Sequence, residues 1–320
     1  MISYKKALEK IFNSKIKISN EKILSKNSCH RISVKNINSP DNYPAANNTA
    51  FDGFAINSKE TLNLNKNKKK KFKIIKTIAA GDNPKIKKIK KFSTIEVMTG
   101  TIIQKPFDTI IPVEQIKFIP NKKNPKFILI EKKIKKNQFI RFAGSDYKKG
   151  ERVINKGQVI QPSHIMAFKS LGIKNLLVKK NVNITFYSTG NEISKKDKIP
   201  PWKIRNSNSY YLKSLVKTLP IIFKERFILR DNHQNKFKNE LIKNIKLKND
   251  IVVTSGAVSA GKYDFIPSTL KKLNVKNYFK GANIRPGKPL TFAKFNNKNV
   301  FFGLPGNPIS SAACFRFFVL

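Results

Sequence analysis

Residues 181–192 read Asn-Val-Asn-Ile-Thr-Phe-Tyr-Ser-Thr-Gly-Asn-Glu: a mostly apolar, β-branched and aromatic run, Val182 to Tyr187, opens directly into a glycine loop, Ser188 to Glu192. A short apolar run that stops at a turn signal is the pattern of a buried strand. Downstream the same pattern recurs with helices between. Helical spacing over Asn208–Leu219 gives way to a largely strand-like Ile221–Leu229, then a helix over Phe237–Ile245 and a strand over Asp250–Thr254. A helix over Ile266–Leu273, a strand over Val300–Leu304 and a helix over Ile309–Phe318 complete the series. This order predicts an α/β fold: an open, mainly parallel sheet with helices on both faces. In such sheets ligands bind beyond the carboxyl ends of the strands, so the loops after these strands are the candidates for chemistry.

Upstream the texture differs. Ala7, Leu8, Ile11 and Phe12 lie on one face of a short helix, Ser3–Asn13, with Ser3 as its N-cap. From Arg31 to Thr109 short β-type runs (Phe72–Ile78, Thr94–Met98, Thr109–Val113) are broken by Gly, Pro and Asn; they predict a separate β-rich module, continued by Phe127–Glu131. The polar stretch Lys132–Gln138 reads as a hinge. Pro162–Leu171 has helical spacing and ends at Gly172, a natural C-cap. There is no internal repeat.

At 320 residues the chain has room for two or three domains. A hydrophobic content of 40% with 24 Phe excludes wholesale disorder, and no apolar run is long enough to span a bilayer. No apolar stretch succeeds the lysines of the first ten residues, so no secretory signal is read. Cys29 and Cys314 make neither a disulfide framework nor a zinc site, which fits a reducing cytoplasm. The formal net charge is +46, and clustered cations would suit phosphates. Yet only eight of the 65 cations are Arg, and the 57 Lys are spread over nearly every segment. Phosphate clamps and base readers favour the forked guanidinium. The spread reads as background composition, which disfavours nucleic acid as partner, and the densest run, Lys66–Lys73, reads as a solvated loop.

Four glycine loops lie where the predicted sheet would bind a ligand: Ser188–Glu192, Ser255–Gly261, Arg285–Pro289 and Leu304–Ser310. Glycine admits an anion to backbone N–H groups, hydroxyls add donors, and helix N-termini add partial positive charge. Together they describe an oxyanion or phosphate cradle, although any one alone is an ordinary turn. Carboxylates are scarce, so their places carry information. Glu192 and Asp264 come after strand ends, Asp231 closes Ile228–Arg230, and Asp52 sits in an Asp-Gly turn; beside phosphates such groups hold Mg2+. Asp264 and Asp231 are equally N-caps, and Asp52 is equally a turn former. His30, His164 and His233 share no ligand spacing, and no nucleophile is paired with a base by position.

In this order the loops resemble the molybdopterin molybdenumtransferase family, which is similar to the C-terminal domain of gephyrin. The stretches that carry the resemblance are Asn48-Thr-Ala-Phe-Asp-Gly-Phe-Ala55, Ala79-Ala-Gly81, Val97-Met-Thr-Gly100, Ser188-Thr-Gly-Asn-Glu192, Thr254 to Phe265, Arg285-Pro-Gly-Lys-Pro289 and Gly303-Leu-Pro-Gly-Asn-Pro308. The resemblance implies an enzyme of molybdenum-cofactor biosynthesis that inserts molybdate into adenylylated molybdopterin and releases AMP with help from Mg2+. It implies a homodimer whose site joins the β-rich module of one subunit to the α/β domain of the other, supplied by a molybdopterin adenylyltransferase upstream. It implies three domains: α/β molybdopterin-binding, 1–22 and 174–320; linking and dimerising, 23–38 and 141–173; β-rich, 39–140. By position it gives catalytic roles to Asp52, Thr99, Glu192 and Asp231, and metal ligation to Glu192 and Asp264. Ser255, Gly256 and Ser259 would line the pterin phosphate pocket, and Arg285, Lys288 and Ser310 the molybdate site, where fixed cations offset an oxyanion's charge.

The chain departs from the family pattern in places. Asn191 stands where Asp is usual, Ala257 replaces a second Gly, Ser145 replaces a Glu before Asp146, and Lys262 stands where an acid is common. Ala257 fits without strain only if its φ is negative. The family continues into a C-terminal β-barrel domain beyond the position of Leu320, so an incomplete molybdate pocket is the expectation. Two alternatives stay open: a truncated or degenerate remnant that binds molybdopterin without turnover, and a basic nucleic-acid-binding protein.

Overall fold

The computed structural model describes residues 1–14, 16–246, 250–258, 265–273, 275–296 and 298–320, so Ser259, Lys262 and Asp264 lie outside the described residues. The chain divides into two compact units. One holds Asn36–Asn155 and Met166–Lys174; the other holds Met1–Lys35, Lys156–Ile165 and Asn175–Leu320.

The first unit is built on a six-stranded mixed sheet. Its strands are β1 (Gly53–Ile56), β2 (Lys70–Ile78), β3 (Ser93–Val97), β4 (Thr109–Pro112), β5 (Lys117–Ile119) and β6 (Phe127–Ile130), in the order β4-β1-β3-β2-β6-β5. Alternate residues feed two cores. Phe54, Ile56, Phe72, Ile111 and Ile128 pack into one cluster; Ala55, Ile78, Ile95, Val97 and Ile110 pack into another. This is the period of two that a strand imposes. The lysine run is divided: Lys70–Lys73 belongs to β2 and buries Phe72, so the expected loop covers only the residues before it. A buried phenylalanine outweighs its charged neighbours because their side chains leave on the solvent side.

The second unit carries a sheet of β7 (Val182–Ser188), β8 (Ile221–Glu225), β9 (Ile251–Ser255), β10 (Lys276–Lys280), β11 (Thr291–Lys294) and β12 (Val300–Leu304), in the order β8-β7-β9-β12-β11-β10. The pairs β8–β7, β7–β9 and β9–β12 are parallel, and β11 and β10 complete the sheet antiparallel. Helix α1 (Tyr4–Phe12) is capped by Ser3, whose side chain accepts from Lys6 N–H, and α2 (Pro162–Ser170) stops short of Gly172 at φ 69°. Both agree with the expectation from sequence. Helices α3 (Ser207–Leu215), α4 (Gln234–Lys246), α5 (Phe265–Lys272) and α6 (Pro308–Cys314) alternate with the strands.

The two faces of this sheet are covered by different helices. Ile184, Phe186, Val253 and Phe302 point into a core with Ala7 of α1, Leu212 of α3 and Cys314 of α6. Tyr187, Val252 and Phe301 point into the other, with Phe237 and Leu241 of α4 and Ile266 and Leu270 of α5. The open α/β sheet is therefore as expected. The two antiparallel strands were not legible: each is four or five residues long with lysine at an end, too short and too polar to stand out. The expected strand Ile221–Leu229 ends at Glu225, and the expected helix to Leu219 ends at Leu215.

Chain order fixes where ligands should look. From β7 the chain passes through α3 to β8 on one side, then through α4 back across to β9 on the other. The strand order reverses between β7 and β9, and the carboxyl ends of these two strands flank the crevice. Phe186, fully buried and stacked on Phe223 at 5.5 Å between ring centres, anchors the strand that leads there. Replacing it with Ala is expected to destabilise the chain by about 3–5 kcal/mol, read as a lower midpoint in urea denaturation.

Candidate active site

At the carboxyl edge the loops are tied to one another across the sheet. Ser188 pairs with Ser255, and Ser255 with Leu304, at the ends of β7, β9 and β12. One residue further, Thr189 donates twice to Ser255 O, from N–H (3.0 Å) and from Oγ1 (2.7 Å), and Gly256 N–H donates to Leu304 O (2.9 Å). Gly256 has φ 97°, and a Cβ there would stand 2.5 Å from Thr189 Oγ1 and 2.7 Å from Thr189 O, so only glycine allows this approach. Its neighbour Ala257 lies at φ 55°, the left-handed region, where the unstrained case required a negative angle. The backbone takes the course a second glycine would take, and alanine bears the strain. Ser255 and Gly256 are both buried, and the Ser255 hydroxyl has no hydrogen-bond partner among the described residues.

The loop after β7 is organised by a residue that the sequence pattern did not single out. The Arg230 guanidinium donates to three backbone carbonyls, those of Gly190 (2.9 Å), Asn191 (3.0 Å) and Ile193 (2.9 Å). Asn191 and Asp231 then bond reciprocally: Asn191 Nδ2 donates to Asp231 Oδ2 (2.7 Å), and Asp231 N–H donates to Asn191 Oδ1 (3.3 Å). A carboxylate at position 191 would repel the Asp231 side chain; the Asn191 amide donates to it instead. Glu192 is exposed, with its carboxyl group over Gly190, where a Cβ would be 2.3 Å from Oε2. Lys203 Nζ reaches Asn191 O at 2.5 Å, and Ile204 N–H reaches Glu192 O at 2.9 Å. Glu192 and Asp231 are thus gathered on one rim. Among the described residues no group of three His, Cys, Asp or Glu comes together to hold a metal ion.

The loop carrying Arg285 and Lys288 is held from below. Gly287 (φ 115°) packs so tightly on α6 that a Cβ would lie 2.5 Å from Cys314 Sγ, and the Cys314 thiol donates to Gly287 O at 3.4 Å. Burial pushes that thiol up to about 12, so it stays protonated and keeps its donor. Lys288 O accepts from Ala282 N–H (3.1 Å) and Leu290 N–H (3.0 Å). Both cationic side chains remain exposed. Ser310 is half-buried in the first turn of α6, its N–H donating to the Asn307 side chain (3.1 Å), and Asn208 Nδ2 of α3 holds Gly306 O (3.0 Å).

In the β-rich unit Asp52 and Thr99 meet across 47 residues of chain. Asp52 Oδ1 accepts from Thr99 N–H (2.6 Å) and Thr99 Oγ1 (2.7 Å), and Asp52 O accepts from Val113 N–H (3.2 Å). The Thr99 N–H, and after it the hydroxyl, hold the exposed carboxyl below the usual carboxylate range. Such bonds favour the charged form, so their contribution is present above the unfolded carboxylate's pKa and is lost as pH falls.

Thr99→Val removes one of the two bonds and is expected to raise the Asp52 pKa toward its ordinary value, tracked by carboxyl-carbon NMR. Ala257→Gly relieves the left-handed alanine and is expected to raise stability by up to about 1 kcal/mol, read in the urea midpoint.

Comparison with known proteins identifies the family to which these two units belong. Residues 2–172 match the family model described as MoeA N-terminal region (domain I and II), and residues 185–320 match that described as probable molybdopterin binding domain. The molybdopterin molybdenumtransferase of Staphylococcus epidermidis is 29% identical over 320 residues, which is 100% of this chain and 74% of that protein. That of Haemophilus influenzae is 31% identical over 290 residues, 89% of this chain and 68% of the other. Two solved structures of the molybdopterin biosynthesis MoeA protein of Pyrococcus horikoshii superpose with TM-scores of 0.83 and 0.80, at 26% and 27% identity, over 100% of this chain and 78% and 77% of theirs. The chain belongs to the MoeA-type molybdopterin molybdenumtransferase family of molybdenum-cofactor biosynthesis.

Proposed function

We propose that the chain inserts molybdate into adenylylated molybdopterin, with release of AMP. The observation that carries this reading is the carboxyl edge of the sheet: glycine loops bound to one another after β7, β9 and β12, two exposed cations at Arg285 and Lys288 on the loop that leads into β11, and the carboxylates Glu192 and Asp231 on the loops beside β7. An oxyanion substrate needs fixed positive charge that does not have to reorganise on binding. Arg285 and Lys288 supply positive charge from a loop whose backbone is held by Cys314 and the Lys288 carbonyl bonds. Gly256 and Ser255 fit the pterin phosphate, with Ser259 beside them in sequence, and Ser310 adds a hydroxyl for molybdate. When bound, a divalent cation such as Mg2+ would neutralise charge on the phosphoanhydride. Glu192 and Asp231 are hard oxygen donors of the right kind to hold it with most of its waters, together with Asp264. Asp231 offers a reduced share, because Asn191 already occupies one oxygen.

Asp52 and Thr99 act from the β-rich unit, in our reading by entering the site of a second subunit in a homodimer. Asp52 is exposed and its carboxylate is oriented by the Thr99 N–H and hydroxyl, which leaves Oδ2 available to orient water or the cation. The division into an α/β domain, a linking domain (23–38 and 141–173) and a β-rich domain belongs to the same reading, as do a cytoplasmic site of action and an upstream molybdopterin adenylyltransferase. Among the described residues no helix is long and apolar enough to cross a membrane. The strained Ala257 and the Asn191–Asp231 bond favour one second reading, binding of molybdopterin without turnover.

The test uses the purified chain with adenylylated molybdopterin, molybdate and Mg2+. AMP release is the expected result, and Asp52→Ala should lower it by about a hundredfold or more with only a small fall in melting temperature, since the Thr99 bonds it loses are at the surface. Binding without AMP release would select the second reading. A salt-steep affinity for nucleic acid that survives Asp52→Ala and Lys288→Ala would select the basic nucleic-acid-binding protein instead.

A further inference from the structure

The loop after β7 turns its carbonyls toward one point. Gly190 O, Asn191 O and Ile193 O lie 2.9, 3.0 and 2.9 Å from a single atom, Nη1 of Arg230. The carbonyl between them, that of Glu192, accepts from Ile204 N–H at 2.9 Å. Nη1 carries only a pair of hydrogens and meets three acceptors, so at least one N–H is shared. Three carbonyl dipoles that converge on one centre answer the charge of the group as much as its separate N–H bonds, as carbonyl oxygens do around a metal cation. Lys203 Nζ brings a second positive charge to Asn191 O, at 2.5 Å. Arg230 is therefore a cation set in a cage of main-chain oxygens and tethered by its own side chain.

Glu192 lies between the caged carbonyls. Its carboxyl group is folded back over Gly190, so close that a Cβ there would lie 2.3 Å from Oε2 and 2.4 Å from Oε1. The place of the carboxylate thus follows the course of the backbone at 190–193, and Arg230 holds that backbone on either side of it. The base of the tether is fixed as well. Arg230 N–H donates to His233 Nδ1 (3.1 Å), His233 N–H donates to Arg230 O (2.9 Å), and Asp231 accepts from the Asn191 side chain. Arg226, earlier on the same segment, makes the contrast: its guanidinium donates to the Glu240 side chain of α4 (3.3 Å).

Resting on the reading that Glu192 holds the divalent cation, we propose that Arg230 is a positioning residue for that carboxylate. The guanidinium, a fixed cation in the carbonyl cage, holds the loop in the course that presents Glu192, and a free guanidinium ion can take its place. Groups that orient a metal ligand without touching the metal typically change its affinity by about 10–100-fold.

Amide NMR of the full chain tests this. Arg230→Ala should shift the Gly190, Asn191, Glu192 and Ile193 resonances. Guanidinium chloride at millimolar concentration, far below the molar range in which it denatures, should return them along a saturable curve. Tetramethylammonium chloride, which has no N–H to offer, should not. Mg2+ titrated in the presence of AMP and followed at the Glu192 amide should reach its midpoint at a concentration about tenfold or more higher in the variant, and guanidinium should bring it back. Arg226→Ala, an equal charge change on the same segment, should leave the loop resonances in place and the midpoint within about twofold. Arg230→Gln, which keeps an N–H donor without the charge, should behave as Arg230→Ala does and serves in its place should that variant not fold. Unmoved loop resonances, an equal effect of the two salts, or an equal shift of the midpoint in Arg226→Ala would overturn the role of Arg230. No Mg2+ response in the unsubstituted chain would overturn Glu192 as a ligand and this role with it. A chain that gives the expected shifts yet releases no AMP would count against turnover and support the positioning role.

Discussion

The contact on which the rest of the α/β unit's site depends is the one between Thr189 and Ser255. Two donors from one residue converge on a single carbonyl, and the approach exists only because Gly256 has no side chain to stand between them. The same glycine donates onward to Leu304 O, so three loops that leave three different strands become one continuous backbone surface. A parallel sheet delivers its strand ends to one edge, but it does not bind together the loops beyond them. These bonds do so, and they fix the backbone N–H groups and loop ends against which a phosphate would be read.

Behind that surface the structure uses cations and amides where an acid-rich protein would use carboxylates. Arg230 closes the loop after β7 on three carbonyls, and its own charge is answered by backbone dipoles instead of an acid. Asn191 bonds to Asp231 and removes the clash that two adjacent carboxylates would create. Cys314, kept protonated by burial, holds the Gly287 carbonyl and with it the loop that presents Arg285 and Lys288. With 19 acids against 65 bases, the chain places carboxylates sparingly: Glu192 and Asp231 on the rim, Asp52 beside Thr99, and Asp250 at the far end of the sheet.

Much of this was legible residue by residue. The strands over 182–188, 251–255 and 300–304 are apolar runs that end in glycine loops, and a buried parallel strand has no other way to look. The helices that cover them carry apolar residues at helical spacing. Strands β10 and β11 were hidden because they are short and end in lysine; they are strands because the neighbouring β12 offers a ladder, a property of the neighbour. The lysine run at 66–73 misled in the reverse direction, since one buried phenylalanine decides where β2 begins.

The sequence by itself determined the fold class and placed glycine loops and a few charged residues after the strands, because apolar periodicity and glycine loops act over a few residues. Only the tertiary structure decided which of those groups meet. Asp52 finds Thr99 across 47 residues, Arg230 finds carbonyls some 40 residues before it, and Ala257 takes a left-handed turn that its own side chain opposes. The acceptors in the Arg230 and Thr189 contacts are main-chain carbonyls, which every residue has and no sequence marks. Ala257 follows Gly256 in the loop after β9, and Gly256 is bonded to Leu304 O on the neighbouring strand. Partners of that kind become visible only when the sheet has brought distant segments to a common edge.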